Sequence, residues 1–283
     1  MEKVLSVKSE REVLALINDI AFSCVPAWYG ATRRNLKMSL IVPKNRENHP
    51  ACPLLIWICG GAYRCVDRAV WVPEMMYFAE RGYVVASIEY RTSNDAMFPG
   101  ALIDVKSAIR YLKAHAKEYC IDTERICIMG ESGGGTMASL AGVTGECKEY
   151  DQGDYLEYDS KVNAVVDFYG IVDMIHTPFT VNGHDVPVFM LDDFIGTDYT
   201  EEMAEKASAI TYVSKNTPPF LILHGNQDPS VPVEQSRMMY EKLQNCGVKS
   251  NLYILDGAGH AEDCFYQNEI KVMIEDFLKT VLQ

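Results

Sequence analysis

The chain has 283 residues, enough to bury a substantial core within one large α/β domain. Its 48% hydrophobic and 23% charged content is that of a globular protein and excludes a disordered, collagen-like or solenoid chain. A formal net charge of −13 would repel phosphate backbones and anionic lipid surfaces, so neither nucleic acid nor membrane is expected as a partner.

The first ten residues, Met1 to Glu10, break every short apolar run with charge and lack the apolar core of a signal peptide. No stretch approaches a membrane span. Nine cysteines are scattered without paired CxxC spacing, which suits reduced thiols in a cytoplasmic protein better than zinc or disulfides. Near the N-terminus, 20–22 and 36–42 read as strands of an antiparallel edge. From residue 53 onward, short apolar runs at 54–58, 83–88, 126–129, 164–168, 220–223 and 251–255 alternate with helical patterns. The helices are expected near 70–81, 101–118, 133–143, 233–245 and 263–281. Strands apolar on both faces, separated by helices, predict a mostly parallel sheet covered on both sides. The segment 171–215 breaks this rhythm with Pro178, Gly183, Pro187 and an acidic pair, Asp192-Asp193. It reads as a small cap inserted over the strand ends of a single domain spanning 1–283.

Gly130-Glu131-Ser132-Gly133-Gly134 lies between an apolar strand and a helix, the setting of a nucleophile elbow. A serine nucleophile needs a base, an acid to orient that base, and donors for the oxyanion. Asp228 follows the strand ending at Leu223, and His260 follows the last strand in a glycine-rich loop. The two are separated by roughly the thirty residues of one βαβ step. The order serine, aspartate, histidine is that of α/β-hydrolases. Ser132, Asp228 and His260 are therefore the expected catalytic residues. Gly61, Ala62 and Gly133 are the expected oxyanion amides, because Cys59-Gly60-Gly61-Ala62-Tyr63 closes an earlier strand.

These four motifs, Cys59 to Tyr63, Gly130 to Gly134, His224-Gly225-Asn226-Gln227-Asp228 and Gly259-His260, resemble the α/β-hydrolase esterases. The similarity is to the acetyl esterase, hormone-sensitive-lipase-like and feruloyl esterase group. It covers about 50–283 clearly and the N-terminal strands less so. One departure is Cys59, where the group usually has histidine. The resemblance implies a serine carboxylesterase acting on a short acyl ester, with acetyl or feruloyl groups on plant carbohydrate the natural substrates. It implies no cofactor and no metal. An amidase, a deformylase or a prolyl-oligopeptidase-like peptidase would use the same triad. The peptidase is disfavoured because no extra domain stands before the strands to filter peptides. A non-catalytic ligand binder is disfavoured because all three triad members are present. Association with further copies of the chain is left open.

Other residues carry alternatives. Asp167 also ends a strand and rivals Asp228, which is preferred because it comes one strand before the histidine. His224 reads as a second base or as a satisfied loop anchor, and Glu131 as a support beneath the elbow. Tyr63, Trp71, Phe179 and Phe189 could line a substrate pocket, and Tyr63 is taken as the candidate contact. Trp57 and Phe168 are expected in the core. Asp192 and Asp193 suggest a solvated acidic loop rather than a metal site. His49, His115, His176 and His184 are expected at the surface.

Overall fold

A computed structural model describes residues 1–28, 30–175, 180–181, 184–185 and 189–283. In chain order the elements begin with β1 (Leu14–Ala27), β2 (Thr32–Pro43), β3 (Cys52–Ile58), α1 (Val72–Ala79) and β4 (Val84–Ile88). Next come α2 (Gly100–Ala114), α3 (Ala116–Tyr119), β5 (Ile121–Glu131), α4 (Gly133–Val143) and β6 (Ala164–Phe168). A two-stranded hairpin follows, β7 (Thr180–Val181) with β8 (His184–Asp185), and then α5 (Phe189–Ile195) and α6 (Glu201–Lys206). The chain ends with β9 (Phe220–Gly225), α7 (Val233–Asn245), β10 (Ser250–Leu255) and α8 (Asn268–Val281).

Eight strands form one sheet in the order β1-β2-β4-β3-β5-β6-β9-β10. Strand β2 runs antiparallel to both β1 and β4, and every pair from β4 to β10 is parallel. This mostly parallel sheet between helices is the α/β-hydrolase architecture that the sequence predicts.

Why both faces are covered is visible in β3. Leu54, Ile56 and Ile58 pack into one apolar cluster, while Leu55 and Trp57 pack into the other. Side chains alternate across a strand, so a run of apolar residues must find a core on each side. Helix α2 contributes Leu102, Val105, Ala108, Ile109 and Leu112 to the first cluster, and α4 and α7 add Met137, Leu140, Met239 and Leu243. Helices α1 and α8 close the second with Met75, Phe78, Ile270, Ile274 and Phe277. Trp57 and Phe168 meet edge to face there, with ring centroids 5.8 Å apart.

Several boundaries differ from the sequence reading. The edge strands β1 and β2 are longer than 20–22 and 36–42, because the hairpin continues beyond its pairing with β4. The helix expected at 101–118 breaks at His115, which leaves helical geometry at φ −104° and ψ 18°. The helix expected at 263–281 is a short 3-10 turn, Asp263–Tyr266, then α8, divided by the extended Gln267. Within 171–215, α5 sits against the strand ends: the Phe98 amide donates to the Phe194 carbonyl at 2.7 Å, and Phe194 stacks on Tyr63. Helix α6 instead leads into a 3-10 turn, Ala209–Tyr212, that packs beside α4 and α7.

Candidate active site

Strand β5 occupies the middle of the sheet and delivers Ser132 at its carboxyl end, where φ is 55° and ψ −123°. A non-glycine residue there is strained and must be held by its surroundings. The Ser132 amide donates to the Phe168 carbonyl at 2.9 Å, and the Ser132 carbonyl accepts from Thr136 at 3.0 Å. The turn is tight enough that a Cβ at Gly134 would run into the Ile58 carbonyl and one at Gly130 into the Gly134 carbonyl. This is why the motif needs glycine at both positions.

The three residues expected to act together do converge. His260 Nε2 lies 2.9 Å from Ser132 Oγ, and His260 Nδ1 lies 2.6 Å from Asp228 Oδ2. A carboxylate only accepts, so Nδ1 carries the proton and Nε2 is left to accept from the serine hydroxyl. Asp228 is fully buried, and burial alone would push its carboxyl pKa up. Donors from the His224 and His260 side chains and the Val231 amide reverse this and hold the carboxyl well below its ordinary range. Its other oxygen accepts the Ser230 and Val231 amides at 2.8 and 2.9 Å. The two loops carrying Asp228 and His260 are fastened to each other. Asn226 donates to Asp256 Oδ1 at 2.8 Å and accepts from the Gly257 amide at 2.8 Å.

The loop after β3 is held at several main-chain atoms. Tyr90 donates its hydroxyl to the Cys59 carbonyl at 2.8 Å, and the Gly60 amide donates to Glu131 Oε1 at 2.6 Å. The Gly61 carbonyl accepts from the Arg64 and Cys65 amides, and the Tyr63 carbonyl from Ser93. Gly61 stands at φ +137°, which only glycine adopts readily. Among the described residues, no hydrogen-bond acceptor occupies the amides of Gly61, Ala62 or Gly133. Gly133 is the first residue of α4, whose N-terminal amides are unpaired by construction. A Cβ built on Gly133 would lie 3.5 Å from the Tyr63 nitrogen, so the loop and the start of α4 face each other closely.

Several residues take roles that sequence reading did not assign. Tyr63 is only 3% exposed; its hydroxyl donates to Thr136 Oγ1 at 2.9 Å and its ring stacks on Phe194 at 4.5 Å. It therefore supports the loop from below, correcting the expectation of a substrate contact. Trp71 likewise stacks on Tyr266 at 4.0 Å and directs Nε1 toward Glu131 Oε1 at 3.4 Å. Asp193 is not in a solvated acidic loop: it lies on α5 and pairs with Arg64. His49 is half-buried and meets Glu12 at 2.9 Å, and His115 stacks on Tyr111 at 4.1 Å. His176 and Phe179 lie outside the described residues, as do the side chains of His184 and Phe189.

Cys59 is buried beneath the loop, and burial pushes its thiol up to about 12, with Glu131 adding to the effect. It is a neutral, weak donor 3.7 Å from Glu131 Oε1 rather than a nucleophile. Asp167 does not reach His260; its carboxylate accepts the Gly170 amide at 2.9 Å and Ser139 Oγ at 3.0 Å beneath the elbow. Among the described residues no group of three or more His, Cys, Asp or Glu is arranged to hold a metal ion. No described helix is long and apolar enough to cross a membrane.

Known proteins place this arrangement. The BD-FAE family model matches residues 38–243. The chain is 34% identical over 205 residues to the probable carboxylic ester hydrolase LipM of Mycobacterium tuberculosis, covering 71% of this chain and 47% of LipM. A truncated carbohydrate esterase from gut microbiota superposes with a TM-score of 0.81 at 29% identity, over 96% of this chain and 98% of that one. A bifunctional GH43-CE protein of Bacteroides eggerthii gives a TM-score of 0.79 at 28% identity, over 95% of this chain and 35% of that one. The chain spans about half the length of the curated relatives it matches. With its sheet order, its elbow at the end of β5 and these relatives, the chain belongs to the BD-FAE family and has the α/β-hydrolase fold.

Proposed function

We propose that the protein is a serine carboxylesterase. The observation that carries this reading is the continuous chain from Ser132 Oγ through His260 to the buried Asp228, at 2.9 and 2.6 Å. His260 accepts the proton of Ser132 as its oxygen attacks the ester carbonyl, and Asp228 stabilises the imidazolium so formed. The unoccupied amides of Gly61, Ala62 and Gly133 receive the oxyanion. They are fixed before charge develops, and one such donor is worth roughly 3 kcal/mol in the transition state. His260 then protonates the departing alcohol, and water repeats the sequence to release the acid and free Ser132. These steps draw on the chain's own groups and water, without a cofactor.

The substrate class we infer is a short acyl ester, acetyl or feruloyl, on plant carbohydrate. The likeness to a gut carbohydrate esterase and to a bifunctional GH43-CE protein supports it. We further propose one domain capped in part by 171–215, and a cytoplasmic location, which suits nine cysteines that are all free in the structure. With a net charge of −13, the partner is a small ester rather than nucleic acid or membrane.

The test is hydrolysis of acetyl, butyryl and feruloyl esters beside an aminoacyl amide, by wild type and Ser132→Ala. Ester turnover that disappears in Ser132→Ala is expected. Retention of turnover in that variant removes the mechanism, and faster cleavage of the amide replaces esterase by amidase.

A further inference from the structure

His224 is 0% exposed and sits where three elements meet. It lies one residue before the end of β9, it faces the loop that carries Asp228, and it touches the first turn of α7. Its Nδ1 is 2.6 Å from Ser236 Oγ, and its Nε2 is 3.0 Å from the Val231 carbonyl. The same Nε2 is 3.4 Å from Asp228 Oδ2, the oxygen that accepts His260. A carbonyl and a carboxylate both demand a donor, so Nε2 carries a proton. The serine hydroxyl pairs with Nδ1, so both ring nitrogens are satisfied. The groups facing the ring from neighbouring elements are Asp228 from the loop, Ser236 from α7, Asp167 from β6 and the Tyr169 ring, whose centroid is 6.3 Å away.

We propose that His224 is a positioning residue of the triad, holding the Asp228 turn by one N–H directed at both the Val231 carbonyl and the Asp228 carboxylate. The inference rests on the esterase reading above and adds a fourth residue to its geometry. The hydrogen bond to Val231 fixes the far side of the turn. The contact with Oδ2 holds that oxygen where it meets His260 Nδ1. Asp228 cannot rotate to pair elsewhere, because its second oxygen is already held by the Ser230 and Val231 amides. His224 itself cannot turn, because Ser236 holds its other nitrogen. Ser132, His260, Asp228, His224 and Ser236 thus form one line of polar contacts into the core, hydrogen bonds at every step but the 3.4 Å contact of His224 with Asp228.

A residue that acts through Asp228 has no work to do once Asp228 is gone, and a double-mutant cycle reads this directly. The measurement is the second-order rate at which a fluorophosphonate labels Ser132 in wild type, His224→Leu, Asp228→Asn and the double variant. Labelling needs the triad but not the right ester. Activity that fails on every ester while labelling persists therefore strikes the substrate reading and leaves this inference standing. We expect His224→Leu to slow labelling at least tenfold in the wild-type background and less than twofold in the Asp228→Asn background. His224→Gln, which keeps an N–H near the position of Nε2, should recover most of the rate. If His224→Leu does not fold, Ser236→Ala takes its place, with a several-fold loss expected that again vanishes in Asp228→Asn. An equal loss in both backgrounds, or no loss at all, overturns the proposal.

Discussion

The buried carboxyl of Asp167 gives the most quantitative test of the structure. It lies on β6 under the elbow, fully enclosed, with Ser139 and the Gly170 amide as donors and, among the described residues, no salt bridge to it. Burial outweighs those donors and pushes its pKa from 3.8 up to about 6. The folded protein therefore binds the Asp167 proton more tightly than the unfolded chain does. From about pH 4 through pH 6 this group takes stability away as pH rises, and by about pH 7 the loss is complete. At 1.36 kcal/mol per pH unit, the penalty at neutral pH is about 3 kcal/mol. Asp167→Asn removes the titration while keeping the shape: its carbonyl can accept from Gly170 and its amide can face Ser139. Urea unfolding of both proteins from pH 4 to pH 8 isolates the effect, because other titrating groups cancel in the difference. The stability of Asp167→Asn relative to wild type should rise by about 2.4 kcal/mol between pH 4 and pH 7 and then level off. A difference that stays flat with pH would show that Asp167 is not a buried, unpaired acid and refute the reasoning.

Other substitutions separate the supports of the site. Glu131→Ala frees the Gly60 amide and should lower kcat roughly ten- to a hundredfold, the equivalent of about 1–3 kcal/mol, with KM nearly unchanged; Glu131→Gln, which keeps the acceptor, should restore most of it. Lys106 is fully buried and donates to the Thr144 and Cys147 carbonyls at 2.8 and 2.9 Å while pairing with Asp151 at 3.1 Å. Its replacement by alanine should destabilise the fold by about 3 kcal/mol in urea melts, since it strands these acceptors; a loss below 1 kcal/mol would mean water takes its place. Phe194→Ala removes the ring stacked on Tyr63 and should cost about 3 kcal/mol of stability. Slower fluorophosphonate labelling should accompany it, and unchanged labelling would show that α5 does not steady the loop.

The layered sheet was legible because its strands are apolar on both faces, so 164–168 and 220–223 stand out from their surroundings without any knowledge of partners. The elbow and the order of Ser132, Asp228 and His260 were legible for a similar reason: glycine and loop spacing are local signals. What could not be read were contacts between residues distant in the chain. Tyr63 looks like a pocket aromatic until its hydroxyl is seen on Thr136, and Asp193 looks solvated until α5 brings it to Arg64. The breaks at His115 and Gln267 were hidden because the apolar period continues through both, and only the backbone departs from helix. His224 reads as either a base or an anchor, and its contact with Asp228 places it behind the triad, where it reaches Ser132 only through Asp228 and His260.

The loop after β3 is secured chiefly through its main chain, by Tyr90, Ser93, Glu131 and its own Arg64 and Cys65 amides. The carbonyl that Tyr90 holds is present whichever side chain stands at 59, so this position leaves little fingerprint in the alphabet. Cysteine can then stand at 59 without disturbing where the free amides point. Drift should consequently be wide at 59 and narrow at 60 and 61, where a Cβ would run into Glu131 and Cys65, so a search keyed to the glycines will gather members that one keyed to residue 59 would overlook.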